Sequence, residues 1–352
     1  MELRAKPDAA EALDRMEAWW LRENHDRPIL TVAVERPPSK LSKTYPTERE
    51  RWLDFEFRVD QAIEAVETGT YLAETFPTFE PNLGPDIIST IFGLNLEFAP
   101  DTSWGRPIVS SVDEILEIEP SFEAPLWKEV EKLQRMGLEA GDGRWITLFT
   151  DLHANADIPA ALMGQEAFCM ALADDLTAAR RAVEHVTQGA LEAYRRQVQP
   201  IERKGLPIGT WLSAFSSKRS HVPQADFSGL IGVEMFHRAV LPSVIEEMRQ
   251  AERNIYHLDG EAALKHLDIL LEVKEIDAIQ WVYGDGHGPA RRWLDVYRTI
   301  LKAGKGVRVE AQDADDILEL HKELGNEGVW YGANFGPLSL ADADALLHAI
   351  SA

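Results

Sequence analysis

The second half of the chain alternates short apolar runs with longer amphipathic stretches. The stretches repeat apolar residues at helical spacing, and several have Asp or Ser near the start and Gly near the end, as capped helices do. Pro242 in one of them should kink a helix or mark its start. Apolar strands that alternate with helices indicate a parallel sheet covered on both faces. The β-branched apolar runs cover residues 207–215, 254–260, 277–286, 306–313 and 328–336.

The first half of the chain is less regular but contains further elements. Strands are predicted at 27–35, 144–153 and, more weakly, 68–77, and helices at 7–23, 47–66 and 174–203. A generous count gives eight strands, the number that closes a (β/α)8 TIM barrel. We therefore expect one α/β barrel domain over residues 1–352, with N-terminal helices and a long loop excursion at about 76–127, rich in Pro, Gly and Asn.

An open, doubly wound sheet is the structural alternative to a barrel. No GxGxxG or GxxxxGK[ST] motif follows any of the predicted strands, which counts against a dinucleotide- or nucleotide-binding sheet. We therefore expect no nucleotide cofactor.

The charge composition of the chain limits the kinds of molecule that it is expected to bind. The 352 residues include 36 Lys and Arg against 59 Asp and Glu, a formal net charge of −23. This excess of acid argues against nucleic acid and against an anionic membrane surface. An anionic substrate would need a local cluster of Arg or Lys that works against the overall field. No signal-like or membrane-spanning segment is visible, so a cytoplasmic location is expected.

A single cysteine limits the metal chemistry that one chain can offer. Cys169 cannot form an intramolecular disulfide or a multi-thiolate metal site, and its helical context favours a role in the core. Any metal held by this chain would need nitrogen and oxygen ligands.

In a barrel, chemistry sits where the strands end. His257 and Asp259 alternate at the end of one apolar run, so both can face the barrel mouth as metal ligands or as a His oriented by its acid. Asp151 and His153 repeat this alternation at the end of another run. In both pairs the alternative is that the Asp caps the next helix. Asp226 lies in a polar segment between two runs.

Other polar and aromatic residues also fall at strand ends or loops. Glu310 follows an apolar strand and is a candidate metal ligand, with a salt bridge to Arg308 or Lys305 as the alternative. Six further residues could line a substrate pocket: Trp104, Trp211, Gln280, Trp281, His287 and Asn334. His287 also fits a solvated loop.

Several of these segments resemble one known family. The segments 232–248 (GVEMFHRAVLPSVIEEM), 254–260 (NIYHLDG), 277–286 (DAIQWVYGDG) and 331–337 (YGANFGP) are similar to the uroporphyrinogen decarboxylase-like superfamily. That superfamily also contains cobalamin-dependent methyltransferases. The resemblance is best over about 226–352, and it implies a (β/α)8 barrel with a cleft at the strand ends.

The departures from the family concern its active sites. The decarboxylases carry an Arg-rich N-terminal signature that the first strand here, RPILTVAVERPP, lacks. The methyltransferases bind zinc through a His-x-Cys pair and a second Cys near the last strand. Here His257 matches, Asp259 stands in place of the first Cys, and Asn334 lies near the second position. The resemblance thus implies a site with nitrogen and oxygen ligands, from His257, Asp259 and Glu310, for zinc or a harder divalent ion.

Three functions remain as hypotheses. The preferred one is metal-assisted methyl transfer between a small molecule and a corrinoid on a partner protein. The second is a metal-independent decarboxylase or other lyase for a small anionic substrate, with Asp226, Asp259 or Asp151 as the acid or base and His257 or His153 assisting. The third is a barrel that binds a small molecule without catalysis. Whether the chain forms a homodimer is left open.

Overall fold

The computed structural model describes residues 2–351. The strands are β1 Ile29–Thr31, β2 Thr78–Phe79, β3 Leu96–Phe98, β4 Ser103–Gly105, β5 Ile146–Thr147, β6 Ile208–Gly209, β7 Phe215–Ser216, β8 Ser220–His221, β9 Arg253–Asp259, β10 Ala278–Val282, β11 Gly306–Ala311 and β12 Val329–Ala333. The α-helices are α1 Ala9–Trp20, α2 Glu48–Leu53, α3 Phe55–Thr68, α4 Val112–Leu116, α5 Pro125–Ala140, α6 Asp157–Met163, α7 Gln165–Asp174, α8 Leu176–Arg203, α9 Val233–Met235, α10 Leu241–Met248, α11 Leu267–Leu271, α12 Leu294–Lys302, α13 Ala314–Leu324 and α14 Leu340–Ala349. Short 3-10 helices cover Pro85–Phe92, Asp226–Leu230, Glu261–His266 and Ala290–Trp293, and a π-helical turn covers Phe236–Val240.

The centre of the fold is a curled parallel sheet. Within residues 2–351 it has six strands in the order β1-β12-β11-β10-β9-β8, and every neighbouring pair is parallel. The first strand of the chain therefore lies beside the last, as barrel closure requires. β2 and β5 form a separate parallel pair, while β3–β4 and β6–β7 are antiparallel pairs. The structure is thus a mixed α/β fold of barrel type, and the expected ring of eight strands is not continuous.

The first-half strands differ most from expectation. The segment predicted as a strand at 68–77 is not one, because α3 extends to Thr68 and the strand begins only at Thr78. Glu74 instead caps the edge of β1: its N–H donates to the Leu30 carbonyl at 3.1 Å, and its carboxylate accepts from Leu30 N and from Arg27. The Glu74 side chain thus takes the place of a neighbouring strand in part of the hydrogen bonding of β1, which explains why β1 is short.

The first part of the predicted excursion at 76–127 is built into the core. Its 3-10 helix Pro85–Phe92 buries every residue from Ile87 to Phe92. Gly84 begins that helix at φ 103°, and a Cβ at this position would come within 1.9 Å of the Ser103 hydroxyl. The close approach between this turn and the β3–β4 hairpin therefore requires glycine.

Helix α1 packs against the start of the sheet strands. Trp19 meets Trp330 of β12 edge to face at 5.3 Å between ring centroids, and the Trp20 indole N–H donates to the Phe215 carbonyl at 2.9 Å. Both tryptophans are buried, as their helical context predicts. The same apolar cluster, called the apolar plug below, includes the first residues of β1 and β10 and therefore lies at the end of the sheet opposite the strand carboxyl ends.

The proline and capping signals in the second half are confirmed, but the run predicted as one strand at 207–215 forms only the short antiparallel pair β6–β7 outside the parallel sheet. Pro242 lies in the first turn of α10, directly after the π-helical turn. Asp313 and Ser339 cap α13 and α14 by accepting backbone N–H groups of Asp316 and Asp342. Among helices within residues 2–351, none has the length and apolar character needed to cross a membrane.

Candidate functional site

The carboxyl end of β9 carries two candidate side chains toward the barrel mouth. His257 and Asp259 share one face of this strand, and the His257 N–H donates to the Pro223 carbonyl at 3.0 Å. That bond holds the segment after β8 beside β9, and the same segment continues to Asp226. Asp259 does not cap the following helix, whose first turn has Gly260 at its N-cap and no side-chain cap. The capping explanation for Asp259 is therefore wrong.

Asp226, His257 and Asp259 form a compact group of metal-ligating side chains. One ligand atom from each lies within 4.8 Å of the others, and His257 Nε2 is 3.9 Å from Asp226 Oδ1. That oxygen is buried and has no hydrogen-bond partner among residues 2–351. Burial raises the pKa of Asp259, and the negative charge of Asp226 adds to the rise while His257 opposes it. An added cation would relieve this repulsion.

The Asp151–His153 pair lies against the same group. His153 Nε2 donates to Asp151 at 2.9 Å, and His153 Nδ1 is 3.6 Å from Asp226 Oδ2. Asp151 also accepts from the Gln224 amide at 2.8 Å. Neither residue caps α6, where no side-chain cap forms at Ala156. The structure thus brings together all five residues that the sequence nominated as catalytic.

The opposite charges of Asp151 and His153 shift the pKa of both groups. Burial alone would lower the pKa of His153, but Asp151, Asp226 and Asp157 outweigh it and raise the pKa to about 10. Burial likewise opposes ionisation of Asp151, yet His153, His257 and Gln224 lower its pKa below the usual value. At neutral pH the pair is an imidazolium bound to a carboxylate.

Asp157 fixes the backbone at Asp226. Its carboxylate accepts the backbone N–H groups of Asp226 at 3.1 Å and Phe227 at 2.8 Å, and so fixes the turn that carries Asp226. Burial and the Asp226 charge raise the pKa of Asp157 to about 7. Sequence reasoning missed this residue because it lies at the start of a helix, where an acid usually has only a capping role.

A hydrogen-bonded row of side chains on neighbouring strands fixes the orientation of the His257 ring. His257, Gln280 and Arg308 are in register on β9, β10 and β11. Gln280 Nε2 donates to Glu310 at 2.5 Å, so its Oε1 faces His257 Nδ1 at 2.6 Å. Since a carboxylate can only accept, this amide orientation requires the proton on Nδ1 and leaves Nε2 free toward Asp226.

Glu310 therefore has a different place from the one expected. It is 8% exposed and accepts from Gln280 and from Arg308, at 2.5 Å in each case. It does not belong to the group formed by Asp226, His257 and Asp259. The salt bridge considered as its alternative is present, and both bonds fall on the same carboxylate oxygen, Oε1. The expectation that Glu310 is a ligand is corrected to a supporting role.

Of the candidate pocket residues, Trp211 and Gln280 contact the site. The Trp211 ring meets the His257 ring edge to face, with centroids 5.2 Å apart. Trp281 is instead completely buried and packs on Trp293, so it cannot wall a pocket. Trp104 is 44% exposed on the β3–β4 hairpin.

The two remaining pocket candidates lie on the surface. His287 is half exposed and pairs with Glu261 at 2.9 Å, which agrees with the solvated-loop alternative. Asn334 is exposed just after β12, and its backbone N–H donates to the Ala311 carbonyl. Neither His287 nor Asn334 contacts the group formed by Asp226, His257 and Asp259.

Glu80 is a strand-end residue that the sequence analysis missed. It follows β2 directly, but the strand was expected too early in the chain, at 68–77. One of its carboxyl oxygens is buried with no hydrogen-bond partner in the described part of the chain. Burial and Asp151 raise the pKa of Glu80 to about 8, against the opposing charge of Arg58. The charges of Asp151 and Arg58 thus act on the Glu80 carboxyl in opposite directions.

Comparison with known proteins identifies the fold. No protein-family model and no curated protein sequence matches the chain. Eleven chains of solved structures do match. One is a methyltransferase from Methanosarcina mazei, with a TM-score of 0.65 and 11% identity over 96% of this chain and 97% of that one. The two chains share a fold. At this identity the likeness establishes the architecture, and the activity is a separate question.

Proposed function

We propose that this protein is a metal-dependent enzyme of methyltransferase type, with a divalent ion held by Asp226, His257 and Asp259. The observation that carries the proposal is the convergence of these three side chains, two of them from one strand end, on a common point. The shared fold with a protein named as a methyltransferase, over nearly the full length of both chains, supports the class of reaction.

The donor set fits such an ion. Two ligand atoms that are each about 2.1 Å from one metal lie at most about 4.2 Å apart. The 3.9 Å between His257 Nε2 and Asp226 Oδ1 satisfies that limit, while the group as a whole, at 4.8 Å, must contract slightly. Two carboxylates and one imidazole suit zinc, manganese or iron(II) better than a thiolate-seeking ion. The unpartnered Asp226 oxygen gives the cation a ready ligand.

The chain's own residues would prepare the site and bind the substrate. Gln280 fixes the His257 tautomer, Asp157 holds the turn that carries Asp226, and Trp211 shields one side of the His257 ring. A bound divalent ion would supply Lewis acidity toward a substrate oxygen or sulfur. A corrinoid carried by a partner protein would serve as the methyl acceptor, and the substrate heteroatom would keep the bonding electron pair.

The decarboxylase alternative has no comparable support. It requires an acid or base that works without metal, whereas the matching structure named above is a methyltransferase. A barrel that binds a small molecule without catalysis is the other alternative, and it would show ligand affinity without turnover.

Metal content tests the proposal directly. We expect near-stoichiometric metal in the protein after incubation with zinc, manganese(II) or iron(II) and gel filtration, and its loss in His257→Ala and Asp259→Asn. His287→Ala is the matched control, since this surface histidine also pairs with a carboxylate near a strand end. Circular dichroism and thermal unfolding establish that each variant is folded. A parent protein that stays metal-free with all three ions would overturn the proposed mechanism.

A further inference from the structure

A cavity of about 510 Å³ lies between the segment after β1, helices α2 and α3, and the segment after β2. Its volume is in the range of small-molecule sites, about 300–1,000 Å³. Three cations line it, Lys43, Arg51 and Arg58, against one acid, Asp101. This balance is unusual in a chain with a net charge of −23.

Two of the three cations are already paired. Lys43 forms an ion pair with Asp54, and Arg51 pairs with Glu48 at 2.6 Å. Arg51 also donates to the Pro100 carbonyl. Their charges are therefore largely neutralised by the protein itself, and neither needs a ligand.

Arg58 is different. It is half-buried, and its guanidinium donates to the Trp52 carbonyl at 3.2 Å while no carboxylate within residues 2–351 lies within ion-pair distance. Burial lowers the pKa of Arg58 to about 10, so it remains a cation at neutral pH. A guanidinium offers five N–H donors in a planar fork, and most of this capacity is unused. Such a group in a cavity matches the planar or tetrahedral oxygens of an anion.

Neighbouring groups add donors to the same cavity. Asn82 accepts from the Gly84 N–H at 2.6 Å through its oxygen, so its amide nitrogen remains available. Trp52 provides an aromatic wall and donates its indole N–H to the Ala99 carbonyl. The cavity therefore combines one unpaired cation, an amide donor and an apolar face.

Asn82, which lines the cavity, follows Glu80 by two residues at the end of β2. The charges of Arg58, in the cavity, and of Asp151, beside the candidate metal centre, both act on the Glu80 carboxyl.

We propose that this cavity binds an oxyanion, namely the carboxylate, sulfonate or phosphate end of a small molecule, through the Arg58 guanidinium. Taking that molecule to be the substrate rests on the proposed function, whereas binding of the anion itself does not. The sequence analysis found no arginine among the pocket residues, because Arg58 lies on a helix far from any predicted strand end.

The test uses fluorine NMR of trifluoroacetate and trifluoromethanesulfonate with the metal-free protein at low salt. We expect saturable line broadening with both probes, displacement by inorganic phosphate, and no such broadening with the neutral trifluoroethanol. Arg58→Gln should weaken binding about tenfold or more, since it removes a charge-assisted pair. Arg58→Lys should retain part of the affinity because it keeps the charge.

Arg51→Gln is the matched control, because it removes a cation of the same cavity that is already paired. We expect it to change the affinity less than about threefold. No saturable binding in the folded parent, or equal losses in the Arg51 and Arg58 variants, would overturn the proposal. Because the probes are measured without metal, failure here is distinguishable from failure of the metal site, which is scored by metal content alone.

Discussion

Gln280 provides a sharp test of how the candidate metal centre is built. Its amide joins His257 to Glu310 through bonds of 2.6 and 2.5 Å, and its side chain is almost completely buried. Gln280→Leu keeps the approximate volume but removes both bonds. His257 is then free to rotate or to protonate the nitrogen that should bind metal, and Glu310 retains Arg308 as its partner.

Two magnitudes follow from this geometry. Loss of a buried hydrogen bond that leaves a partner unsatisfied costs about 1–3 kcal/mol, so the free energy of unfolding should fall by that amount. Loss of a group that orients a metal-binding histidine typically costs about 10–100-fold in metal affinity. At about 1.4 kcal/mol per factor of ten, this equals about 1.4–2.8 kcal/mol of binding free energy.

The control separates positioning from general damage to the fold. Gln134 is also a buried amide, 2% exposed, and it donates to the Gln197 backbone carbonyl at 2.7 Å and not to any of the three proposed ligands. Gln134→Leu should lower the free energy of unfolding by a similar amount and leave the metal affinity unchanged. Isothermal titration with zinc or manganese(II) and urea unfolding give the two quantities.

The spectroscopic readout is the tautomer of His257. Nitrogen NMR of the metal-free parent should show the proton on Nδ1, and Gln280→Leu should lose this preference. If folded Gln280→Leu binds metal as tightly as the parent, or if both leucine variants lose affinity equally, Gln280 does not position His257.

Two further predictions concern stability. Glu80 has a pKa of about 8 in the folded protein, above its ordinary value near 4.5, so the folded state binds the extra proton between those values and loses stability as the pH rises toward 8. In urea unfolding between pH 5 and 9, the free energy of unfolding of Glu80→Gln should therefore fall less with rising pH than that of the parent. An unchanged dependence on pH would contradict the assigned burial of Glu80. Trp19→Ala should lower the free energy of unfolding by about 3–5 kcal/mol, because it leaves a cavity in the apolar plug. Metal affinity at the opposite end should stay at the parent value. A loss of both stability and metal affinity would refute the separation of the two ends.

The last four strands of the fold were predictable because they are long enough to show a pattern. β9 to β12 have five to seven residues each, so their apolar runs stand out between amphipathic helices. β2 and β5 have two residues each, too few for alternation to be read. Part of the bonding at β1 passes to the side chain of Glu74, which no periodicity reports.

The candidate site was predictable where chemistry follows one strand. His257 and Asp259 were found because alternate residues share a face. The sequence could not show that Gln280 lies between His257 and Glu310, because this depends on the register of three strands. Arg58 and Asp157 were missed because each lies on a helix and reaches its partners through tertiary packing.

The two proposed sites divide the mouth region by charge. Asp226 and Asp259 favour a cation and Arg58 favours an anion, and the pKa of Glu80 responds to the charges of both Asp151 and Arg58. If His257→Ala still binds trifluoroacetate and Arg58→Gln still binds metal, the two sites are independent in the absence of substrate. A molecule that carries both an anionic group and a reacting heteroatom would then bind more tightly than either part alone, because the second contact becomes intramolecular. A substrate search among methylated compounds with a carboxylate, sulfonate or phosphate follows from this argument, and neutral methylated compounds are the appropriate negative set.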